Sequence, residues 1–541
     1  MIDSYRVAKG YVRLRRDEPM LLPPDVRDWL PAGHVVWFLL DAVASMDTSS
    51  LHRRAKLGGA GRSPYDPDML LALLIYAYAG GLRSSRKIER RCNEDVAFMV
   101  ISGLSYPDHA TIARFRKDND EAMAELFEQV LRLCGRAGMG ALEHVAIDGT
   151  KIAADASKGM SRDADGLRAV ARRLLDEAAA VDAAEDARYG QARGDELPEQ
   201  LRDPARRKRF LDDLRKEAAA DADRGRGRRR ARKAKKAERA LALADEAAAA
   251  TADRHEVGLG RPRARLERAE QRLAAVRARA QAQAADRARR EAEAAARGTT
   301  LPGTRPVPVD DQVEVRGAAA KVERDRHRVQ RAETEIGTKT STRNLTDPDS
   351  RFLPVAGGGF ILGYNSQLAV SADHLILAVD VVNDPSDEGQ LQPMLNHLES
   401  AVAILREAAD NPDLAVGTAL FDAGYDSNHN IETPGPDRLI ALGKRTRIAG
   451  ENPPTSPPAV DAPARDHMAW RLSTPDGKAL YKKRGATVEP VNGITKDRRG
   501  LRRFSRRGLS AAKAELTLAS LTTNLLRLFT TRPVTTRPAT G

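Results

Sequence analysis

The sequence predicts a mixed α/β core, an all-helical N-terminal domain ahead of it, and a helical, Ala/Arg-rich insertion that interrupts the core. Three observations carry this. Short apolar runs that read as buried strands end in aspartates, at HVAI-Asp148 and VGTALF-Asp422. Capped, short helical segments fill residues 1–137. From 159 to 340 the chain is mostly Ala, Arg, Glu and Asp, with almost no aromatic residue.

Taken in order, Asp66 with Pro67 opens the helix MLLALLIYAYA, which stops at Gly80-Gly81. Ser84 or Ser85 opens a basic helix, SRKIERRC, and Asp108 opens a third that runs to about Gly138 and carries Arg114, Arg116 and Lys117 in its first turns. Short helices with basic faces suit a DNA reader of the helix-turn-helix kind, and equally suit an ordinary bundle with a solvated face. If the first holds, Arg114 and Arg116 are the candidates for groove contact. Residues 138–158 and 341–509 form the core, 159–340 the insertion, and 510–541 a last helix and tail. Within the insertion, 224–239 holds ten Lys or Arg in sixteen positions, a density expected to stay extended or to become helical on a polyanion. Leu266 and Leu273 stand one heptad apart in 263–297, too little for a sustained coiled coil.

Beyond 360, FILGYNSQLAV and HLILAVDVV read as strands joined at Asp373-His374, followed by an amphipathic helix, the strand before Asp422, and RLIAL. Gly357-Gly358-Gly359 lacks the Lys-Ser/Thr of a phosphate loop and reads as a hairpin connection. The net charge of +13 favours a polyanionic partner, DNA or RNA. Two cysteines outside any CxxC pair exclude a disulfide framework or zinc ribbon. No run of about 18 apolar residues suggests a membrane span, so the expected location is cytoplasmic, nucleoid-associated, with no membrane partner.

Tyr481, Arg484, Glu489 and Lys496 bring one carboxylate together with a ring and two cations within sixteen residues. With Asp148 and Asp422 they suggest a three-carboxylate, two-metal site for phosphoryl transfer on nucleic acid. Thr487 is the expected cap of the helix that carries Glu489 and Pro490 in its first turn. Each aspartate has a plain alternative as a turn residue. Asp347 and Asp349 read as turn caps, and Asp380 as either a satisfied interior carboxylate or an accessory acid.

The strings AIDGTKIAADAS, LTDPDSRF, GYNSQLAV, FDAGYDS and RGATVEPVNGITKDRRGLRRFSRRGL resemble the DDE-type transposases of bacterial insertion sequences, in the superfamily with a Tyr-x2-Arg-x3-Glu-x6-Lys signature. The string PYDPDMLLALLIYAYAGGLRSSRKIERRCNEDVAFMVISGLSYPDHATIARFR is similar to that group's helical N-terminal domain, and 160–217 to the insert of a long-chain subgroup. The resemblance implies an RNase H-like core with Asp148, Asp422 and Glu489 as its acids. It also implies two Mg²⁺ ions (Mn²⁺ as a substitute), and Tyr481, Arg484 and Lys496 on DNA. The implied partners are double-stranded DNA, both element ends and target, and further copies of the chain in a dimeric or larger synaptic complex. The chain departs from the pattern twice: the gap from Arg484 to Glu489 is four residues, and Asn492 stands where the subgroup tends to carry an aromatic. The expected function is a transposase that binds terminal inverted repeats, cleaves and joins strands. The alternatives are a nuclease of the same fold and a non-catalytic DNA-binding descendant.

Overall fold

A computed structural model of the chain describes residues 25–53, 64–189, 223–300, 307–337, 340–355, 357–443 and 456–531. It divides into two compact units, residues 1–155 with 350–541, and residues 156–349.

The first unit opens with seven helices: α1 (Val35–Ala44), α2 (Ser49–Arg53), α3 (Pro67–Ala79), α4 (Ser85–Glu94), α5 (Val96–Ser102), α6 (His109–Asp118) and α7 (Ala122–Arg136). Asp66 caps α3 by accepting from Asp68 N, with Pro67 in the first turn where no amide is missed. Leu70 through Ile75, Ala77 and Tyr78 are all buried, so α3 is apolar all round and central. Asp108 caps α6 through Thr111 N, but the single helix expected from Asp108 to Gly138 is two. The Asn119 side chain donates to the Phe115 carbonyl at 2.7 Å, which is the bond a continuing helix would make with its own backbone.

Six strands form one mixed sheet. They are β1 (His144–Ala153), β2 (Arg351–Pro354), β3 (Phe360–Ser371), β4 (Ile376–Val382), β5 (Thr418–Phe421) and β6 (Arg438–Ile440). The order is β2-β3-β1-β5-β6, with β4 also paired to β3. β3 runs antiparallel to β1, β2 and β4, while β1, β5 and β6 are parallel. Gly357, Gly358 and Gly359 all have positive φ and connect β2 to β3, the hairpin connection read from the sequence. Helices α8 (Leu391–Ala408), α9 (Asn428–Glu432), α10 (Ala464–Ser473), α11 (Pro475–Gly493) and α12 (Leu509–Thr531) complete the unit. α12 packs on α3, α7 and β4. The N-terminal helices and the C-terminal helix therefore share one compact unit with the sheet.

The α11 helix corrects a second expectation. Its cap is Thr474, which accepts from Gly477 N; Thr487 lies inside the helix and donates to the Lys483 carbonyl. Pro490 is an interior proline, so the carbonyl of Ala486, four residues before it, has no helical donor. The His374 ring supplies one, with Nε2 at 3.1 Å from Ala486 O. The helix then passes Gly493 into a π-helical turn, Ile494–Arg498, that carries Lys496.

The second unit is built on a 74-residue helix, Asp223–Ala296. Helices Ala164–Tyr189 and Val313–Gly337 pack along it, each antiparallel, as the pairs Lys233–Glu177, Arg168–Asp245, Arg263–Glu333 and Arg277–Asp310 record. The basic run 224–239 is therefore helical without any polyanion, contrary to expectation. The helix buries Ala237, Ala240, Leu243, Ala244 and Ala247 along one stripe, with Leu167 against its C-terminal end; of these only Ala237 lies within the run, which continues the packed helix toward its N-terminus.

Candidate active site

Ile147 pairs with Phe421 across the parallel β1–β5 ladder, so Asp148 and Asp422 leave adjacent strands at the same level. Apolar residues at 145–147 and 419–421 are fully buried, which fixes the register that brings the two acids side by side. Asp422 has its own backbone lock, accepting from Gly424 N at 2.8 Å. α11 lies on β1, β3 and β5, pinned by the buried His144 ring, which donates from Nε2 to Thr487 Oγ1 at 3.0 Å.

That docking sets three α11 side chains at the aspartates. Arg484 Nη1 stands 3.4 Å from Asp148 Oδ1. Asn492 donates to Asp148 Oδ2 at 3.1 Å. Glu489 is exposed beside them and adds to the negative field on Asp148. Burial pushes the Asp148 carboxyl up to about 6; the Arg484 guanidinium opposes the rise, and Asp422, Asp387 and Glu489 add to it. Asp422 and Glu489, the other two acids named from the sequence, thus both fall within the electrostatic reach of Asp148.

Tyr481 is half-buried against the cluster of Leu420, Leu439 and Met468, and its hydroxyl interacts with Arg484. Packing of the ring leaves the hydroxyl, more than the face, for work at the site. Burial lowers the Lys496 ammonium, Arg502 lowers it further, and Asp148 pulls it back up, so Lys496 lies near both.

Asp387 was not anticipated. It sits in the loop after β4, where its Oδ1 accepts from Asn365 Nδ2 at 2.6 Å and Gln367 Nε2 at 2.7 Å, both on buried β3 positions. Its Oδ2 lies 3.6 Å from Lys151 Nζ. Gln367 in turn accepts from the buried Tyr425 hydroxyl in the turn immediately after Asp422. Asp387 therefore ties the Asp422 turn to β3 and β1. Gly149 makes room for it, since a Cβ there would collide with Asp387 Oδ1 and Gln367 Nε2. A partial signal was available: Asp387 lies five residues beyond the apolar strand β4, as Asp422 comes directly after β5.

Arg116, proposed for groove contact, is 9% exposed and bound inside the helical region, with Nη1 donating to Arg83 O at 2.8 Å and to the Tyr78 hydroxyl, and Nη2 donating to Ser85 Oγ. It is a structural arginine. Arg114, two residues earlier, is exposed. Asp380 is a satisfied interior carboxylate, held down to about 2 against burial by hydrogen bonds from His397 and Lys513.

The site's donor set suits a hard cation. Every candidate ligand is a carboxylate oxygen, and the four carboxylates outnumber the cations near them, Arg484, Lys151 and Lys496. Among the described residues only His52, Asp66 and Asp68 bring three ligand atoms within 4.8 Å of one another, so the acids do not close around a single ion. Ions that take substrate phosphate oxygens as further ligands suit a set of acids that is incomplete by itself.

Family comparison decides the class. The Transposase domain (DUF772) matches residues 24–118, which cover α1 to α6, and the Transposase DDE domain matches 458–529. The chain thus carries matches to two transposase domains, which support a DDE-type transposase of the insertion-sequence kind. The DDE match contains Tyr481, Arg484, Glu489 and Lys496, while Asp148 and Asp422 lie outside both matched segments. No curated protein and no solved structure gave a match. The transposase has no helix, among its described residues, long and apolar enough to cross a membrane.

Proposed function

We propose that this transposase binds the terminal inverted repeats of its own element and carries out metal-dependent strand cleavage and strand transfer. The supporting observation is the convergence of Asp148 and Asp422, on adjacent parallel strands, with Glu489 from a helix held against them. An RNase H-like reading of the core rests on the sheet order, in which β1 is flanked by an antiparallel and a parallel neighbour.

Asp148, Asp422 and Glu489 would hold two Mg²⁺ ions, with Mn²⁺ as a substitute. Bound there, the ions supply activation of the attacking hydroxyl and stabilisation of the departing 3′ oxygen. Arg484 and Asn492 orient Asp148, and Asp387 with Gln367 and Tyr425 holds the turn that carries Asp422. When DNA enters, Arg484 and Lys496 meet its phosphates, and Tyr481 keeps Arg484 in place. Arg114 on α6 is the candidate for contact in the DNA groove.

The experiment is a nicking and strand-joining assay with Mg²⁺ on duplexes carrying the two flanks of the gene. Wild-type protein should nick at the element end and join that end to a target. Asp148→Asn, Asp422→Asn and Glu489→Gln should each abolish nicking and still shift the duplex in a gel. Nicking without joining would make the protein a nuclease, and binding without nicking a DNA-binding descendant.

A further inference from the structure

Three arginine pairs come after Lys496 at intervals of four: 498–499, 502–503 and 506–507. Beyond Arg498, the last residue of the π-helical turn, the segment is not helical, so the spacing reflects packing. Arg499 is 6% exposed, with Nε donating to Thr523 Oγ1 at 3.1 Å and Nη1 donating to Ala79 O. Arg506 turns in to pair with Asp120. Between them Phe504 is buried against Tyr364, ring centroids 5.7 Å apart. Two main-chain bonds then fasten the segment to the end of β1: Ala153 N donates to Arg502 O at 3.2 Å, and Phe504 N donates to Ala153 O at 2.8 Å.

The consequence is a notch in the sheet. On its β5 side, β1 is paired as far as Ile147 by Phe421, and again at Ala153 by Arg503. No strand among the described residues fills the interval. Asp148 stands at one end of this open edge. Exposed Arg502 and Arg503 stand at the other, five residues away, or about 16 Å along an extended strand. Lys496 lies close enough to both Asp148 and Arg502 for its charge to interact with each. Arg507 continues the line, exposed and paired only with Asp155 at the surface. Arg502 has an exposed partner, Asp497; Arg503 has no acidic partner among the described residues. Exposed pairs of this kind contribute little and are readily exchanged for phosphate. A rigid backbone that presents Arg503 without an acidic partner among the described residues, and Arg502 and Arg507 in exposed pairs, along the edge that leads to Asp148 is more than stability requires.

We infer that Lys496, Arg502, Arg503 and Arg507 form a track for the sugar-phosphate backbone of the DNA strand flanking the cut, on one side of it and within about five nucleotides. This rests on the proposed cleavage at Asp148, but the binding itself can be measured without cleavage.

The test is fluorescence anisotropy of full-length protein with a labelled random-sequence duplex in Ca²⁺, titrated with salt, for wild type, Arg503→Gln, Arg502→Gln/Arg503→Gln and Arg502→Lys/Arg503→Lys. Each lost phosphate contact should make the slope of log affinity against log salt about 0.9 less negative. The expected changes are therefore about one such step for the single Gln variant, two for the double, and none for the double Lys variant. Unchanged slopes in both Gln variants, with unchanged melting temperature, would overturn the track. Should the double variant lose stability, the single decides, because its guanidinium holds no acid in the fold. A nicking assay run in parallel separates the readings. Altered slopes without wild-type nicking would refute cleavage and keep a binding surface, whereas wild-type nicking with unaltered slopes would refute the track alone.

Discussion

Asn492 donates to Asp148 Oδ2 at 3.1 Å, so a side chain of α11 is in contact with the carboxylate on β1. With Arg484 at the other oxygen, 3.4 Å away, it clamps the carboxylate from two points of one helix. Replacing Asn492 with Leu keeps similar bulk and removes the donor. A hydrogen bond to a charged group contributes roughly 1.5–3 kcal/mol, so nicking should fall about tenfold to a hundredfold at unchanged DNA affinity. Wild-type nicking rates in the variant would remove Asn492 from the site.

Gly149→Ala tests the unanticipated acid. The added methyl must push Asp387 and Gln367 away from β1, and with them the Tyr425 turn that carries Asp422. Displacements of about 1 Å in a catalytic site cost on the order of a hundredfold, and that loss is expected here. Circular dichroism should show an intact fold. Full activity would mean that the Asp387 network does not position Asp422.

Arg114 and Arg116 should behave in opposite ways. Arg116→Ala leaves the Tyr78 hydroxyl and the Arg83 carbonyl without their donor in a buried setting, a loss of about 2–4 kcal/mol that a urea melt would register. Arg114→Ala should leave the melt unchanged and weaken binding to element ends more than to random DNA. An unaffected melt for Arg116→Ala would contradict the buried assignment.

The Asp148 carboxyl gives a pH dependence. Its value in the fold, about 6, lies above the ordinary 3.8, so the folded chain holds this proton more tightly than the unfolded one. The stability it contributes to the metal-free protein is complete below about pH 4 and is lost as pH rises through 6. A metal must displace the proton, so the rise in melting temperature on adding Mg²⁺ to the protein bound to DNA should be full near pH 7.5 and shrink steadily below 6. A metal-induced shift that is the same at pH 5 and pH 7.5 would show that Asp148 is not a ligand.

Much of this was readable in the sequence because it depended on neighbours. Asp66 before Pro67 marks a helix start, and the apolar runs before Asp148 and Asp422 mark neighbouring strands, although β1 runs on past Asp148 to Ala153. What escaped depended on distant partners. Thr487 and Pro490 imitate a helix start, and only His374, far off in the chain, makes an interior proline acceptable by meeting the Ala486 carbonyl. Arg116 has the look of a surface cation until Arg83 and Tyr78 fold over it. The basic run at 224–239 reads as unfoldable by charge, yet it continues into a helix whose buried stripe begins at Ala237, and Lys233 finds Glu177. Asp387 is held by amides from β3, a pairing no local spacing announces.

The central claim is that Asp148, Asp422 and Glu489, from three separate elements, hold the same divalent ions. Iron-directed cleavage of the polypeptide tests it most directly: Fe²⁺ is bound in place of Mg²⁺, with DNA present, and ascorbate and peroxide generate radicals that cut the chain near the ion. Cuts close to residues 148, 422 and 489 together, suppressed by excess Mg²⁺ and lost in Asp422→Asn, are the predicted result. Cuts near His52, Asp66 and Asp68 with none at the three acids would contradict it.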